Sequence, residues 1–139
     1  MNLILKGGNY GWPDVQGFCD SPAETAFCND HDVIEPLYAW TPTLAVAGLD
    51  LYQGGDILMW ENCLLMTTLK EQELVVMKLD DTGRNIGDVS VRFDEWFGRL
   101  RDICISPDGR VFLAVSNLDG RGNPRSGDDR IVQVSALLP

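Results

Sequence analysis

The sequence predicts an all-β fold built from short antiparallel strands. Three observations carry that reading. Nearly every apolar stretch is short and bounded by Gly, Pro, Asn or Asp, the punctuation of strands and turns. The chain of 139 residues holds 14 glycines, enough for many tight turns. No segment repeats its apolar residues at a sustained helical period.

The elements follow in order. "NLILK" (2–6) reads as a short apolar strand that ends at the turn cluster "GGNYGWP" (7–13). Residues 14–39 form a long polar loop, of the length that is usually functional or carries small elements of its own. Within it, Ser21-Pro22 reads as the N-cap and first residue of a helical turn over 21–27. "TLAVAGLDLYQ" (43–53) is a strand punctuated by Gly. "NCLLMTTL" (62–69) and "ELVVMKLD" (73–80), split by "KEQ", look like a hairpin. "DTGRNIG" (81–87) is a turn cluster. "DVSVRFD" (88–94) alternates cleanly, with Val89, Val91 and Phe93 on one face. "LRDICIS" (100–106), the "PDGR" turn and "VFLAVS" (111–116) make a second hairpin. "NLDGRGNPRSGDD" (117–129) is read as a long hairpin tip rather than a cation loop, and "RIVQVSAL" (130–137) as the last strand.

Residues 43–94 therefore give four successive strands, residues 100–137 three, and residues 2–6 one stray strand. Three to four antiparallel strands repeated over about 45–55 residues suggest β-propeller blades. A β-sandwich fits the same pattern. About two blades and a stray strand cannot close a ring, so a propeller reading makes the chain a fragment. It then needs further blades, or it covers its open flanks with copies of itself, because exposed strand edges invite aggregation.

Apolar residues make up 45% of the chain and charged residues 23%, which is ordinary for a globular protein. The net charge of −10 argues against nucleic acid or an anionic membrane as partner, since both need a basic surface. No Lys or Arg stands between Lys6 and Lys70, a span with nine acids. That is a solvated acidic surface or a hard-cation site. No apolar run is long enough for a transmembrane helix. "MNLILKGG" is too short for a signal peptide, so either the protein is cytosolic or its natural N-terminus lies further upstream. Cys19 and Cys28 flank a loop and can pair in an oxidising compartment, where such a short closure is worth on the order of 2–3 kcal/mol. Cys63 and Cys104 sit in apolar stretches and read as small buried hydrophobes.

One short string asks for a ligand. In "GRLRD" (98–102), Arg99 and Arg101 lie two apart before a strand, so both guanidinium groups project to one face. Two like charges side by side need an anion. Asp94 and Asp102 are the counter-ions at hand if the pair is merely solvated.

Three strings carry a family resemblance over nearly the whole chain: "NLILKGGNYGWP" (2–13), "WENCLLMTTLKEQELVVMKLD" (60–80) and "RLRDICISPDGRVFLAV" (99–115). In order and approximate spacing they resemble the C-terminal part of the soluble glucose/sorbosone dehydrogenases. These are six-bladed β-propellers that use pyrroloquinoline quinone (PQQ) and Ca²⁺. The resemblance implies three segments: 1–42 as the end of one blade with its long loop, 43–97 as one blade, and 98–139 as the last, incomplete blade. It implies oxidation of a sugar C1-hydroxyl to a lactone, with a histidine base upstream of this chain and the isolated chain inactive. A non-catalytic extracellular propeller segment is the other expectation. Location is expected to be periplasmic or secreted.

The resemblance also assigns residues. Arg99 and Arg101 match paired arginines that contact the carboxylates of PQQ, a task suited to the planar fork of arginine. Lys70 matches a lysine that reaches the quinone ring, where a cation stabilises negative charge. Tyr38 and Trp40 fall where aromatics stand near the sugar. Tyr10, Gln16 and Phe18, through backbone carbonyls, and Asp20, through its carboxylate, fall at a Ca²⁺ site. His31, the only histidine, does not correspond to the family's base.

Overall fold

The computed structural model describes residues 1–136 of the chain. It divides into two compact units, Met1–Pro42 and Thr43–Pro139.

The first unit holds one helix, α1 (Pro22–His31). Its start is written locally. Ser21 accepts a hydrogen bond from the Glu24 amide, and the Glu24 carboxylate accepts one from the Ser21 amide. Pro22 occupies the first turn, where its missing N–H costs nothing. The helix is longer than the turn expected over 21–27 and ends at Asp32 in the left-handed conformation, φ 49°. It buries no residue, so packing does not hold it. A disulfide from Cys19 to Cys28 and the Thr25 hydroxyl, which donates to the carbonyls of Cys19 and Ser21, tie it to the preceding segment. Cys28 thus lies inside a helix rather than at the end of a loop.

The strand expected at 2–6 does not form. A strand needs a neighbour for its ladder, and among the described residues this segment pairs with no strand; the Leu5 carbonyl accepts from the Gly8 amide in a local turn. The Leu5 amide donates to the Tyr10 hydroxyl, which donates to the Leu3 carbonyl, while the Met1 ammonium donates to the Tyr38 carbonyl. Ile4 and Leu5 remain exposed. One isolated parallel bridge, Asn9 to Val33, links the turn cluster 7–13 to the segment after α1.

The second unit is two antiparallel meanders. Strands β1 (Val46–Tyr52), β2 (Cys63–Thr68), β3 (Leu74–Leu79) and β4 (Ile86–Arg92) lie in sequence order in one sheet. Strands β5 (Leu100–Ile105), β6 (Val111–Val115) and β7 (Ile131–Val134) form the other. The expected hairpins are both present. Their turns use the residues that the sequence offers: Gln72 at φ 59° in "KEQ", and Gly109 at φ 78° in "PDGR". The strand expected at 130–137 stops at Val134 in the described part, and Leu137 lies outside the described residues.

Between the sheets lies one core. Strands of both sheets feed it: Cys63 and Leu65 from β2, Leu74 and Val76 from β3, Val111, Leu113 and Val115 from β6 at the alternation of a strand, and Leu100 and Ile103 from β5 across a bulge. Cys63 is buried there as expected. Cys104 is exposed instead, because it alternates with Ile103 and takes the outward face of an edge strand. Trp60 crosses Tyr52 and Phe93 edge-on, and Phe93 meets Trp96 and Phe97. The alternation expected for 88–94 fails at its end. Phe93 sits past β4 in the left-handed region, φ 58°, which swings its ring into this aromatic group while Val91 stays exposed. β4 is an edge strand of its sheet and pairs with β3.

Two β-bulges set how closely the sheets approach. Pairing shifts register between Val46 and Leu49 in β1 and between Leu100 and Asp102 in β5. The bulges face each other. A Cβ on Gly48 would collide with Asp102 Oδ1 and stand 2.8 Å from the Asp102 Cα. The Asp50 carboxylate accepts from the Ile105 amide across the same seam, at 3.0 Å. Gly48→Ala should therefore destabilise the fold by about 1–3 kcal/mol, since backbone must move. Gly87→Ala should be nearly neutral, because its Cβ would meet only the Lys78 carbonyl at 3.7 Å. Urea unfolding of both variants checks this; equal midpoints would refute the close approach.

Candidate anion-binding site

The bulge in β5 decides where the paired arginines point. Leu100 and Ile103 both face the core, three apart instead of two, so Arg101 and Asp102 fall together on the open side. Asp102 turns back on its own strand and accepts from the Ile103 amide at 2.9 Å. It is not the counter-ion of the arginines, and Asp94 makes no ion pair with them either. The counter-ion is Asp119. One oxygen, Oδ2, accepts from Arg99 Nε at 3.2 Å, Arg99 Nη2 at 3.1 Å and Arg101 Nη2 at 2.7 Å. The two side chains do share one side, as their spacing predicts.

They are not equivalent. Arg99 also donates through Nη1 to the Leu69 carbonyl at 3.0 Å, and its side chain is only 11% exposed. Arg101 keeps 47% of its side chain exposed, with a long contact to the Ser116 hydroxyl, 3.4 Å, besides Asp119. Lys70 follows Leu69 directly, so the Arg99 bond brings the end of β2 to the pair. Its ammonium donates to the Thr43 carbonyl at 3.3 Å and pairs with Glu71 at 2.8 Å. Both members of that pair are well exposed, so it contributes little and leaves Lys70 able to turn to another anion.

The 117–129 segment is more than a hairpin tip. Asn117 is fully buried and acts as its rivet. Its carbonyl oxygen accepts from the Arg99 amide, and its amide nitrogen donates to the Phe97 carbonyl and to Asp128, each at 2.9 Å. Arg125 donates to the carbonyls of Trp96 and Glu95. The Asp129 carboxylate accepts from the amides of Asn117 and Leu118. Sequence reading missed Asp119 and Asn117. The available signal was the hairpin register: pairing of Leu100 with Val115 sets the residues after β6 beside those before β5.

The first unit holds the other candidates. Tyr38 and Trp40 are half-buried and meet each other with ring centroids 4.7 Å apart. His31 stacks on Phe27 at 4.0 Å, with Nδ1 2.9 Å from the Phe27 carbonyl, at the helix end. No group of three or more His, Cys, Asp or Glu side chains gathers to hold a metal ion among the described residues. The expected Ca²⁺ set relies instead on carbonyls. Those of Tyr10, Gln16 and Phe18 accept no backbone hydrogen bond there, and Asp20 is exposed.

The carboxyls of Asp119 and Asp128 are held below the usual carboxylate range. For Asp119 the Arg121 amide is the main cause, followed by Arg99 and Arg101; for Asp128 it is the Asn117 amide, then the Arg125 amide. A carboxyl depressed in the folded state stabilises it fully above its unfolded value, about 4, and loses that effect as pH falls below it. Asp119→Asn and Asp128→Asn should therefore be markedly less stable than wild type at pH 7, with the gap closing near pH 3. Urea midpoints at both pH values measure it, and a gap independent of pH would contradict these pairings.

Against this geometry, residues 1–124 match the Glucose / Sorbosone dehydrogenase family model. The chain is 34% identical to a Thermus thermophilus oxidoreductase described as a glucose dehydrogenase, with TM-score 0.73 over 95% of this chain and 35% of that one. It is 26% identical to the PQQ-bound aldose sugar dehydrogenase of Streptomyces coelicolor, with TM-score 0.68 over 95% and 34%. It is 28% identical to quinoprotein glucose dehydrogenase B of Acinetobacter calcoaceticus over 94% of this chain and 38% of that protein. The chain thus spans about a third of the length of these relatives. With the family model covering most of its residues and its two meanders following solved members of the group, this chain belongs to the glucose/sorbosone dehydrogenase family.

Proposed function

We propose that this chain is the C-terminal third of a PQQ-dependent aldose sugar dehydrogenase and supplies one side of its cofactor site. The observation that carries the reading is the convergence of Arg99 and Arg101, beside the strand end that bears Lys70, in a chain similar to a PQQ-bound enzyme. The donor set fits the group. PQQ is planar and carries three carboxylates; Arg101 has uncommitted donors for one, and Lys70 is an exposed cation. When bound, the quinone supplies the oxidant for the sugar C1-hydroxyl, which becomes a lactone.

The chain's own residues bind and orient. Arg101, held by Asp119 through Nη2, donates to a carboxylate through Nε or Nη1. Lys70 leaves Glu71 and offers positive charge where the cofactor gathers electrons. Tyr38 and Trp40 present ring faces suited to the apolar face of a sugar. The carbonyls of Tyr10, Gln16 and Phe18 with the Asp20 carboxylate would hold Ca²⁺, whose hard-oxygen preference they match. The two meanders are successive blades, residues 43–97 and 98–139, after the end of a third. Leu49 and Leu51 of β1, Val91 of β4 and Ile131 of β7, all exposed, are covered by the remaining blades or by self-association. The Cys19–Cys28 bridge suits a periplasmic or secreted location.

On this reading the base that takes the sugar's proton belongs to the remainder of the enzyme, so the 139-residue chain with PQQ, Ca²⁺ and glucose should reduce no dye. Measurable turnover would refute the reading. PQQ should still bind it, quenching tryptophan fluorescence, and Arg99→Ala/Arg101→Ala should weaken that binding about tenfold or more. Equal affinity would remove the cofactor role from the pair. Ca²⁺ should raise the melting temperature of wild type and leave that of Asp20→Ala unmoved; an equal rise in both would place the ion elsewhere.

A further inference from the structure

The arginine pair is built asymmetrically, and its third member is an acid. Arg99 spends Nε, Nη1 and Nη2 inside the protein, on Asp119 and on the Leu69 carbonyl. Arg101 spends only Nη2, on Asp119 and Ser116. Its Nε and Nη1 meet no partner among the described residues. Asp119 is itself fixed: its second oxygen, Oδ1, accepts from the Arg121 amide at 3.0 Å, and its loop is riveted by Asn117.

Resting on the PQQ reading above, we propose that Asp119 is a positioning residue: it locks Arg99 in place and holds Arg101 by Nη2 so that a free donor, Nε or Nη1, meets an incoming ligand carboxylate. Three physical points support it. Two guanidinium groups on one face repel, and a shared carboxylate oxygen removes that repulsion before any ligand arrives. An arginine side chain loses much rotamer freedom when it binds, so an arginine already held by one donor binds at lower entropic cost. And one carboxylate set against two cations leaves the pair net positive, so the site still attracts an anion. An acid beside an anion site would be a defect if it only repelled. Here it bonds one nitrogen of Arg101, Nη2, and leaves Nε and Nη1 to the ligand.

The test uses PQQ affinity and a reading that needs no PQQ. PQQ is titrated into the 139-residue wild type, Arg101→Ala, Asp119→Ala and the double variant. Arg101→Ala should weaken binding about tenfold in the wild-type background but no more than about twofold once Asp119 is gone, because the two act as one unit. The same fold loss in both backgrounds overturns the proposal, as does Asp119→Ala binding PQQ as well as or better than wild type. Separately, the ¹⁵N heteronuclear NOE of the Arg101 Nε–H should fall towards that of a free side chain in Asp119→Ala. An unchanged value overturns the proposal. Asp119→Asn, which keeps an acceptor oxygen, should show an intermediate value and covers the case in which the alanine variant fails to fold. If wild type and Arg101→Ala bind PQQ alike, the cofactor reading fails, while the NOE still decides whether Asp119 orders Arg101.

Discussion

Most of the second unit depends on the backbone contact between β1 and β5. Two bulges meet there, and the absence of a side chain at Gly48 lets the Asp102 Cα come within van der Waals reach. Each bulge inserts one residue and steepens the local twist. In β5 the inserted residue turns Arg101 and Asp102 outward together while Leu100 and Ile103 stay in the core. The packing of the sheets and the exposure of Arg101 are therefore two results of one backbone irregularity. The Asp50 carboxylate, bonded to the Ile105 amide, pins the same seam from the other side.

Charge in this protein is local. A net charge of −10 describes the surface as a whole. It hides a place where two cations share one carboxylate and a third cation follows on the neighbouring strand end. A small anion at that site meets net positive charge from short range, whereas a polyanion such as nucleic acid meets the acidic surface first. The acids are not idle: Asp119, Asp128 and Asp129 organise the loop that braces the pair, each accepting from backbone amides or from side-chain donors. Asn117, buried at the centre, connects that loop to the segment before β5.

The first unit shows a different balance. Its helix is fixed by a capping box, a hydroxyl and a disulfide rather than by an apolar face. Small units with little core commonly rely on such devices. The expected strand at 2–6 illustrates the converse. Its residues have strand character, but strand character without a neighbouring ladder yields only an extended segment held by Tyr10 and Tyr38. In the same way β4 has the alternation of a half-buried strand and lies at an edge, where Phe93 reaches the core only by leaving the strand through a left-handed turn.

By itself the sequence determined the class of fold, the order of seven strands, both hairpin turns, the start of the helix and the placing of two arginines on one side. All of these rest on local chemistry: period-two apolar patterning, Gly and Asn in turns, Ser-Pro at a helix start, and arginines two apart. Only the tertiary structure decided that Asp119 answers the arginines, that Arg99 is committed and Arg101 open, that Asn117 is the rivet, and that Cys28 lies in a helix. The partners at the anion site stand far apart in the chain, as Arg99 and Asp119 do by 20 positions. Such partnerships follow from strand register and from bulges, and one residue of slip reverses every side chain. Local pattern carries no information about that slip, so the partner of "GRLRD" became visible only once the register of β5 against β6 was set.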